Sequence, residues 1–207
     1  MLKRRKIYLA GPDVFLPNAI EIGERKKRLC EQFSCDRLEL IGLFPFDNEI
    51  RPGADGGPVD RDIYRANLAM IKAADCGIFN LTPFRGPSAD VGTVFELGLL
   101  TGLGKPAFAY SNECRSLLDR LKSQKMAFFD TSVAEWRDRN NMFIEDYGNS
   151  DNLMIDACLA EQGHPLVRRK TSLAERFADL GGYLECLQLA RSHFLALHPV
   201  KMAASAS

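Results

Sequence analysis

Apolar and polar residues along the chain follow two distinct patterns. Short, continuously apolar runs occur four times, and such runs are typical of strands buried on both faces. Longer segments between them carry apolar residues at helical spacing, with charged residues on the opposite side. The predicted strands are 6–10, 38–49 with its closing loop, 76–83 and 107–110, and the predicted helices between them are 17–33, 59–74 and 91–103.

Strand and helix alternate four times, so the pattern predicts an α/β fold. We expect a doubly wound sheet of the flavodoxin or Rossmann type, mostly parallel, with four to five strands and helices on both faces. A single domain is expected over 1–207, with its core at 6–110 and a helical C-terminal part at 111–200. Within that part, helices are predicted in pieces over 112–147 and then over 150–163 and 172–197.

The chain has 207 residues with 27 basic and 27 acidic side chains, so its net charge is zero. This balance gives no electrostatic reason to expect a nucleic acid polymer or a membrane surface as a partner. No apolar segment approaches the length of a bilayer span. Six cysteines without paired spacing and three histidines without metal-ligand spacing predict a cytoplasmic protein with reduced thiols and no metal site.

One acidic residue, Glu96, interrupts an otherwise apolar predicted helix. Its neighbours at helical spacing are Gly92, Thr93, Leu99 and Leu100, which are small or apolar. The position is therefore not typical of a solvated helix face. Because a buried carboxylate is costly unless it is paired, hydrogen-bonded or used, the pattern predicts a functional carboxylate beneath a hollow. The alternative is a buried acid with a structural role.

A carboxylate shielded from water is the group that glycosyl-transferring enzymes use as a nucleophile, because the transition state at the anomeric carbon is cationic. Glu96 is the candidate for this role. Asp90, at the start of the same helix, is the nearest candidate for proton transfer to and from the base, although helix capping alone also explains it. Tyr8, near the end of the first strand, could hold the nucleophile by a phenolic hydrogen bond or could be packing.

Three loops are expected at the carboxyl ends of the strands, where doubly wound sheets bind ligands. Their sequences are AGPDVF, FPFDNE and NLTPFRGPSAD. Their acidic and amide side chains suit hydroxyl groups and heterocyclic bases. A phosphate-binding loop is not indicated, because GLGKP lacks the remainder of the P-loop pattern and YLAGPDVF lacks the G-x-G-x-x-G pattern of a dinucleotide fold.

Four segments occur in an order that resembles a known family. They are KIYLAGPDVF, PFDNE, NLAMIKAADCGIFNLTPFRGPSADVGTVFELG and DNLMID. Together they resemble the nucleoside 2-deoxyribosyltransferases. The likeness is strong over 6–110 and continues through a shorter motif over 145–156. The combination of Y-x-A-G-P with D-x-G-T-x-F-E-x-G is the specific part of this resemblance.

The resemblance implies a transferase that moves 2-deoxyribose between purine or pyrimidine bases, as in base salvage. The implied reaction is a double displacement through a covalent glycosyl-enzyme with net retention, and it needs no cofactor. The implied partners are small-molecule deoxynucleosides and free nucleobases. Glu96 falls on the family's nucleophile, Tyr8 on the tyrosine that orients it, and Asp90 on an acid that contacts the substrate.

Five further positions are implied to bind substrate. Gly11 and Asp13 belong to the first loop, and Glu49 aligns with a base-contacting side chain. Asn67 stands where some members have an active-site aspartate, so its amide replaces an acid at this point. Asn152 matches an asparagine that reaches a neighbouring subunit's site, which implies a homo-oligomer, either a dimer or a higher assembly.

Two alternatives remain open. The same superfamily contains N-hydrolases of deoxynucleoside 5'-monophosphates, and Ser88 and Arg85 lie in the right neighbourhood for a phosphate. Asp13 would repel a phosphate dianion, which favours the nucleoside transferase. The second alternative is a nucleoside-binding protein without turnover, in which nothing depends on Glu96.

Overall fold

A five-stranded parallel sheet forms the centre of the computed structural model, which describes residues 2–48 and 59–197. The strands are β1 (Lys3–Ala10), β2 (Leu38–Leu43), β3 (Cys76–Asn80), β4 (Ala107–Ser111), β5 (Phe128–Asp130), β6 (Glu135–Arg137) and β7 (Val167–Arg168). The main sheet has the order β2-β1-β3-β4-β7, and β5 and β6 form a separate antiparallel pair. The predicted α/β fold with a mostly parallel sheet of four to five strands is confirmed.

Six helices accompany the strands in the described part of the chain. They are α1 (Ala19–Gln32), α2 (Asp60–Ala73), α3 (Val91–Gly102), α4 (Leu117–Ser123), α5 (Leu153–Glu161) and α6 (Gly181–Ala196), with single 3₁₀ turns at Pro12–Phe15 and Pro45–Asn48. No helix within the described ranges is long and apolar enough to cross a bilayer.

The two faces of the sheet pack against different helices, as the period of two along a strand requires. On β1, Ile7 and Leu9 belong to the core that includes α1 and α6. The alternate residues Tyr8 and Ala10 belong to the core that includes α2, α3 and α5. The side chain of Tyr8 therefore lies in the layer that contains Glu96.

Residues 112–147 differ from the prediction. Only α4 is helical there, and β5 and β6 follow it as an antiparallel pair. The rings of Phe129 and Trp136 meet across this pair with centroids 5.2 Å apart. Aromatic cross-strand contacts of this kind stabilise a two-stranded sheet, and helical periodicity does not reveal them.

The last helix also begins later than predicted, at Gly181 rather than at residue 172. The Nδ2 of the buried Asn112 donates to the carbonyls of Arg176 at 2.8 Å and Asp179 at 2.9 Å. These bonds fix residues 172–180 as turns against the sheet. A contact from a distant residue therefore overrides the local helical pattern.

A fully buried ion pair lies beneath the loop that follows β1. Lys26 is 2% exposed, and its Nζ lies 2.8 Å from Oδ2 of Asp13, which is 1% exposed. Nζ also lies over the rings of Tyr183 and Tyr110, 5.3 Å and 5.7 Å from their centroids. Asn80 donates to the same carboxylate at 3.3 Å. Among the described residues, each charge is satisfied by the other and by these neighbours, so loss of one partner leaves a buried charge uncompensated.

We expect Lys26→Met to reduce the free energy of unfolding by about 3–5 kcal/mol, because it leaves the carboxylate of Asp13 buried without its cation. The matched control is Arg4→Met, which removes the exposed ion pair between Arg4 and Glu39 and should cost at most about 1 kcal/mol. Urea unfolding of both variants measures the difference. Equal losses in the two variants would contradict this account of the buried pair.

Candidate active site

A cavity of about 680 Å³ opens at the carboxyl edge of the sheet. The loops after β1 and β2 and the helices α1, α2 and α3 all contribute to its lining. Its apolar wall consists of Val14, Phe15, Ile20, Phe44, Phe46 and Ile63. Its polar side includes Asn48, Asn67, Asp90 and Glu96. This is the place where doubly wound sheets bind ligands.

Glu96 lies on the polar side of the cavity, and two donors hold one of its oxygens. The Oη of Tyr8 donates to Oε1 at 2.6 Å, and the Nδ2 of Asn67 donates to the same oxygen at 3.3 Å. Asn67 in turn accepts a bond from Nδ2 of Asn48 at 3.4 Å. Among the described residues, none donates to Oε2 of Glu96, which leaves this oxygen available for a ligand.

The environment of Glu96 shifts its ionisation in two opposing directions. Burial raises the pKa of its carboxyl, the hydrogen bonds from Tyr8 and Asn67 lower it, and the charge of Asp90 raises it, so that the resulting pKa lies above its ordinary value. Burial and the adjacent carboxylate raise the pKa of Tyr8 well above that of a free phenol. Tyr8 therefore remains protonated and is a permanent donor to Glu96.

Asp90 has the N-cap position of α3, as the sequence predicts. Its Oδ2 accepts from the backbone N–H and from the hydroxyl of Thr93, both at 2.9 Å. Its Oδ1 has no hydrogen-bond partner within the described part of the chain, and the residue lines the cavity. One oxygen of Asp90 thus fixes the helix, while the other can face a ligand.

The loop that follows β1 contributes its backbone, rather than the carboxylate of Asp13, to the cavity lining. Gly11 lines the cavity, and a Cβ at this position would come within 2.6 Å of the Cβ of Asn80. The carboxylate of Asp13 instead lies beneath the loop, where it contacts Lys26 and Asn80. The structure does not bring this carboxylate to the cavity, and Lys26 offsets its charge. The expected repulsion between Asp13 and a phosphate therefore loses its basis.

The two remaining predicted residues are Glu49 and Asn152. Glu49 lies outside the described residues. Asn152 caps α5, where its Oδ1 accepts from the N–H of Met154 at 3.1 Å and its Nδ2 donates to Glu145 at 2.9 Å. Its contribution to a neighbouring subunit's site stays a prediction.

Sequence reasoning missed the aromatic side chains of the cavity wall. Phe15 and Phe46 are each about half exposed, at 51% and 47%. The ring of Phe15 stacks on that of Phe84 with centroids 5.2 Å apart, and the guanidinium of Arg85 lies over both rings. The signal that could have found them is an aromatic residue in each of the loops expected at the carboxyl ends of the strands.

The lining of the cavity is acidic. Among the described residues it contains Glu24, Asp47, Asp90 and Glu96, and it contains no lysine or arginine. Lys27 lies behind it, where its Nζ is 2.6 Å from Glu24 and 2.7 Å from Asp47. In the described ranges, no three His, Cys, Asp or Glu side chains are grouped in an arrangement that could hold a metal ion.

The sequence profile of the nucleoside 2-deoxyribosyltransferases matches residues 7–154 of this chain. The chain therefore belongs to the nucleoside 2-deoxyribosyltransferase family, as the resemblance in the sequence predicts.

Three individual proteins are similar to this chain in sequence or in structure. The 2-desoxiribosyltransferase of Leishmania mexicana has a similar structure, with a TM-score of 0.58 and 27% identity over 87% of this chain and 97% of that protein. The uncharacterized protein C191.05c of Schizosaccharomyces pombe is 28% identical over 169 residues, which are 76% of this chain and 78% of the relative. A conserved protein of Enterococcus faecalis V583 shares the fold at 18% identity, with a TM-score of 0.52 over 91% of this chain and 99% of that protein.

We expect Tyr8→Phe to raise the pKa of Glu96 further, because it removes the shorter of the two hydrogen bonds to the carboxylate. A bond to a charged group is worth about 1.5–3 kcal/mol, so the shift should be about one to two pH units. Carboxyl ¹³C NMR titration of glutamate-labelled protein measures it, with the Glu96 signal assigned by its absence from Glu96→Gln. Tyr64→Phe, which removes an exposed phenol from α2, is the matched control and should leave the titration unchanged. An unshifted midpoint in Tyr8→Phe would show that the phenol does not stabilise the anion.

Proposed function

We propose that this protein transfers 2-deoxyribose from a deoxynucleoside to another purine or pyrimidine base through a covalent glycosyl-enzyme. The observation that carries the proposal is the carboxylate of Glu96, half-buried at the cavity and held at one oxygen by Tyr8 and Asn67. Membership of the nucleoside 2-deoxyribosyltransferase family supports the same reaction. The similar protein of Leishmania mexicana is described as a 2-desoxiribosyltransferase.

In the first step, Oε2 of Glu96 attacks the anomeric carbon while the carbon–nitrogen bond to the base breaks. The base departs with the electron pair of that bond, and an ester joins the sugar to the enzyme. The transition state is cationic at the sugar, so the negative charge of Glu96 stabilises it. Tyr8 and Asn67 hold Oε1 and thereby orient the attacking oxygen.

In the second step, a different base attacks the same carbon and displaces the carboxylate of Glu96. Two displacements with inversion give net retention at the anomeric carbon. Asp90 provides the proton that the departing base needs and accepts the proton that the arriving base loses, through the Oδ1 that does not cap α3. The capping role and the proton-transfer role of Asp90 are thus compatible.

The aromatic wall of the cavity suits the base. Phe15 and Phe46 each present an exposed ring at the cavity, and a heterocyclic base gains from stacking on such a face. Asn48 lies on the polar side nearby and can pair with ring nitrogens or exocyclic groups. This arrangement supports a deoxynucleoside and a free base as the two substrates.

The acidic lining favours the nucleoside transferase over the monophosphate hydrolase. A phosphate dianion would face the carboxylates of Asp90 and Glu96, whereas Lys27 offsets the charges of Glu24 and Asp47. Among the described residues, the lining holds no basic side chain. Two like unit charges 4 Å apart repel by about 1 kcal/mol in bulk water and by about 4 kcal/mol near a protein surface.

One of the two candidate phosphate ligands of the hydrolase alternative is engaged elsewhere. The hydroxyl of Ser88 donates to Asp151. The guanidinium of Arg85 lies over the rings of Phe15 and Phe84, beside the cavity wall, and stays a candidate phosphate ligand. The contact of Ser88 with Asp151 supports a substrate without a phosphate.

A homo-oligomer forms part of the proposal. Large apolar side chains are exposed on and beside the β5–β6 pair, namely Phe128, Phe129, Val133, Met142, Phe143, Leu153 and Met154. Asn152 lies in the same region and caps α5 outside its own cavity. If a second copy of the chain packs on this surface, the apolar side chains are removed from water and Asn152 comes close to the cavity of that copy.

We expect the purified protein to convert a 2'-deoxynucleoside and a different free base into the exchanged nucleoside, and to leave the 5'-monophosphate intact. Chromatography of the products with time measures both, and the ratio of transfer to hydrolysis separates a transferase from a hydrolase. Rapid release of base from the monophosphate without exchange would establish the hydrolase instead.

Glu96→Ala should lower the rate of exchange by at least about a thousand-fold, because the nucleophile is lost while the fold is kept. Glu21→Ala, an exposed acid of α1, is the control and should exchange bases at the wild-type rate. Near-normal exchange by Glu96→Ala would refute the assignment of the nucleophile. Binding of nucleosides with no turnover in the wild-type protein would support a binding protein.

A further inference from the structure

The loop between β3 and α3 is held from below by a carboxylate that does not line the cavity. Asp151 is buried, at 4% exposure. Its Oδ1 accepts from the hydroxyl of Ser88, and its Oδ2 accepts from the N–H of Ala89 at 2.8 Å. Asp90, the N-cap of α3, directly follows Ala89 in the chain. Asp151 therefore holds Ser88 and Ala89, the two residues that precede Asp90.

Arg120 is the second side chain that holds this loop. It is 2% exposed, and its Nε donates to the carbonyl of Pro87 at 2.7 Å. Its Nη2 donates to the carbonyl of Ser150 and lies 3.8 Å from Oδ2 of Asp151. The loop segment 87–89 is thus bonded at a carbonyl, a hydroxyl and an amide by two charged side chains that are themselves close together.

The position of Asp151 is set independently of this loop. Asp156, on α5, accepts from the N–H of Ser150 at 2.9 Å and from the N–H of Asp151 at 3.1 Å. Arg168 donates to Asp156 at 2.9 Å. The segment that carries Asp151 is therefore anchored to α5 and β7, so that Asp151 connects a rigid support to the loop.

From this geometry we propose that Asp151 is a positioning residue for catalysis. It acts through Ser88 and Ala89 to hold Asp90, and through the first turn of α3 it holds Glu96. This inference rests on the proposed function. A displacement of about 1 Å at reacting groups can cost about a hundred-fold in rate, so the support of this loop bears directly on turnover.

An asparagine cannot reproduce the contacts of Asp151. The carboxylate accepts three hydrogen bonds, from Ser88, from the N–H of Ala89 and from the N–H of Asn152 at 2.9 Å. The amide of an asparagine has one acceptor oxygen, so its NH₂ group would meet a donor at one of these positions. The charge that faces Arg120 would also be lost.

The test compares Asp151→Asn with Asp75→Asn. Asp75 also accepts from an arginine side chain and a backbone N–H, those of Arg5 and Lys6, but it lies just before β3, at the edge of the sheet opposite the cavity. Urea unfolding checks that both variants remain folded. We expect Asp151→Asn to lower kcat for base exchange by about 10- to 100-fold with KM changed only a few-fold. Asp75→Asn should keep kcat within about three-fold of wild type, because its bonds are made to β1 and not to the loop between β3 and α3.

Hydrogen exchange at the amide of Ala89 gives a readout that does not depend on activity. We expect faster exchange of this amide in Asp151→Asn and wild-type exchange in Asp75→Asn. Equal losses of kcat in both variants, or an unchanged Ala89 amide in Asp151→Asn, would overturn the positioning role.

Failure of the proposed function would be seen separately, as the absence of base exchange in the wild-type protein. If the wild-type protein hydrolyses the 5'-monophosphate instead, the same pair of variants is compared by kcat for hydrolysis, because that reaction uses the same Glu96. In that case a larger loss of kcat in Asp151→Asn than in the control variant supports the positioning role, and equal losses contradict it.

Discussion

The hydrogen bond from Tyr8 to Glu96 is the interaction on which the rest of the site depends. Burial opposes ionisation of this carboxyl and raises its pKa, whereas a nucleophile must be an anion. Tyr8 and Asn67 oppose that penalty by donating to a single oxygen, which leaves the other oxygen for the sugar. The contact exists because Tyr8 points to the sheet face that packs against α3.

The acids around the cavity divide into two groups with different neighbours. Asp90 and Glu96 face the cavity, and we assign the chemistry to them. Asp13 and Asp151 lie beneath the loops, each near a buried cation, where they hold the backbone that shapes the site. Buried charge is costly unless it is paired, so the same residue type serves as a reagent in one place and as an anchor in another.

Short apolar runs predicted the strands, because strands buried on both faces are apolar throughout. Apolar residues at helical spacing predicted the helices, and an acid within one apolar helix made Glu96 a candidate. The pattern did not reveal the role of Asp13, because its partner Lys26 lies among the charged residues of α1 although its side chain points into the core. The β5–β6 pair and the turns at 172–180 depend on contacts between residues distant in sequence, such as Asn112 with Asp179. The local periodicity of the sequence does not predict such contacts.

The central claim is that Glu96 forms a covalent bond to the sugar. It is tested most directly by incubating the protein with a 2'-deoxynucleoside in the absence of an acceptor base, followed by acid quench, proteolysis and mass spectrometry. We expect one deoxyribosyl adduct, located at Glu96 and absent from Glu96→Ala. An adduct on another residue, or rapid base exchange during which no adduct forms at Glu96, would contradict the account.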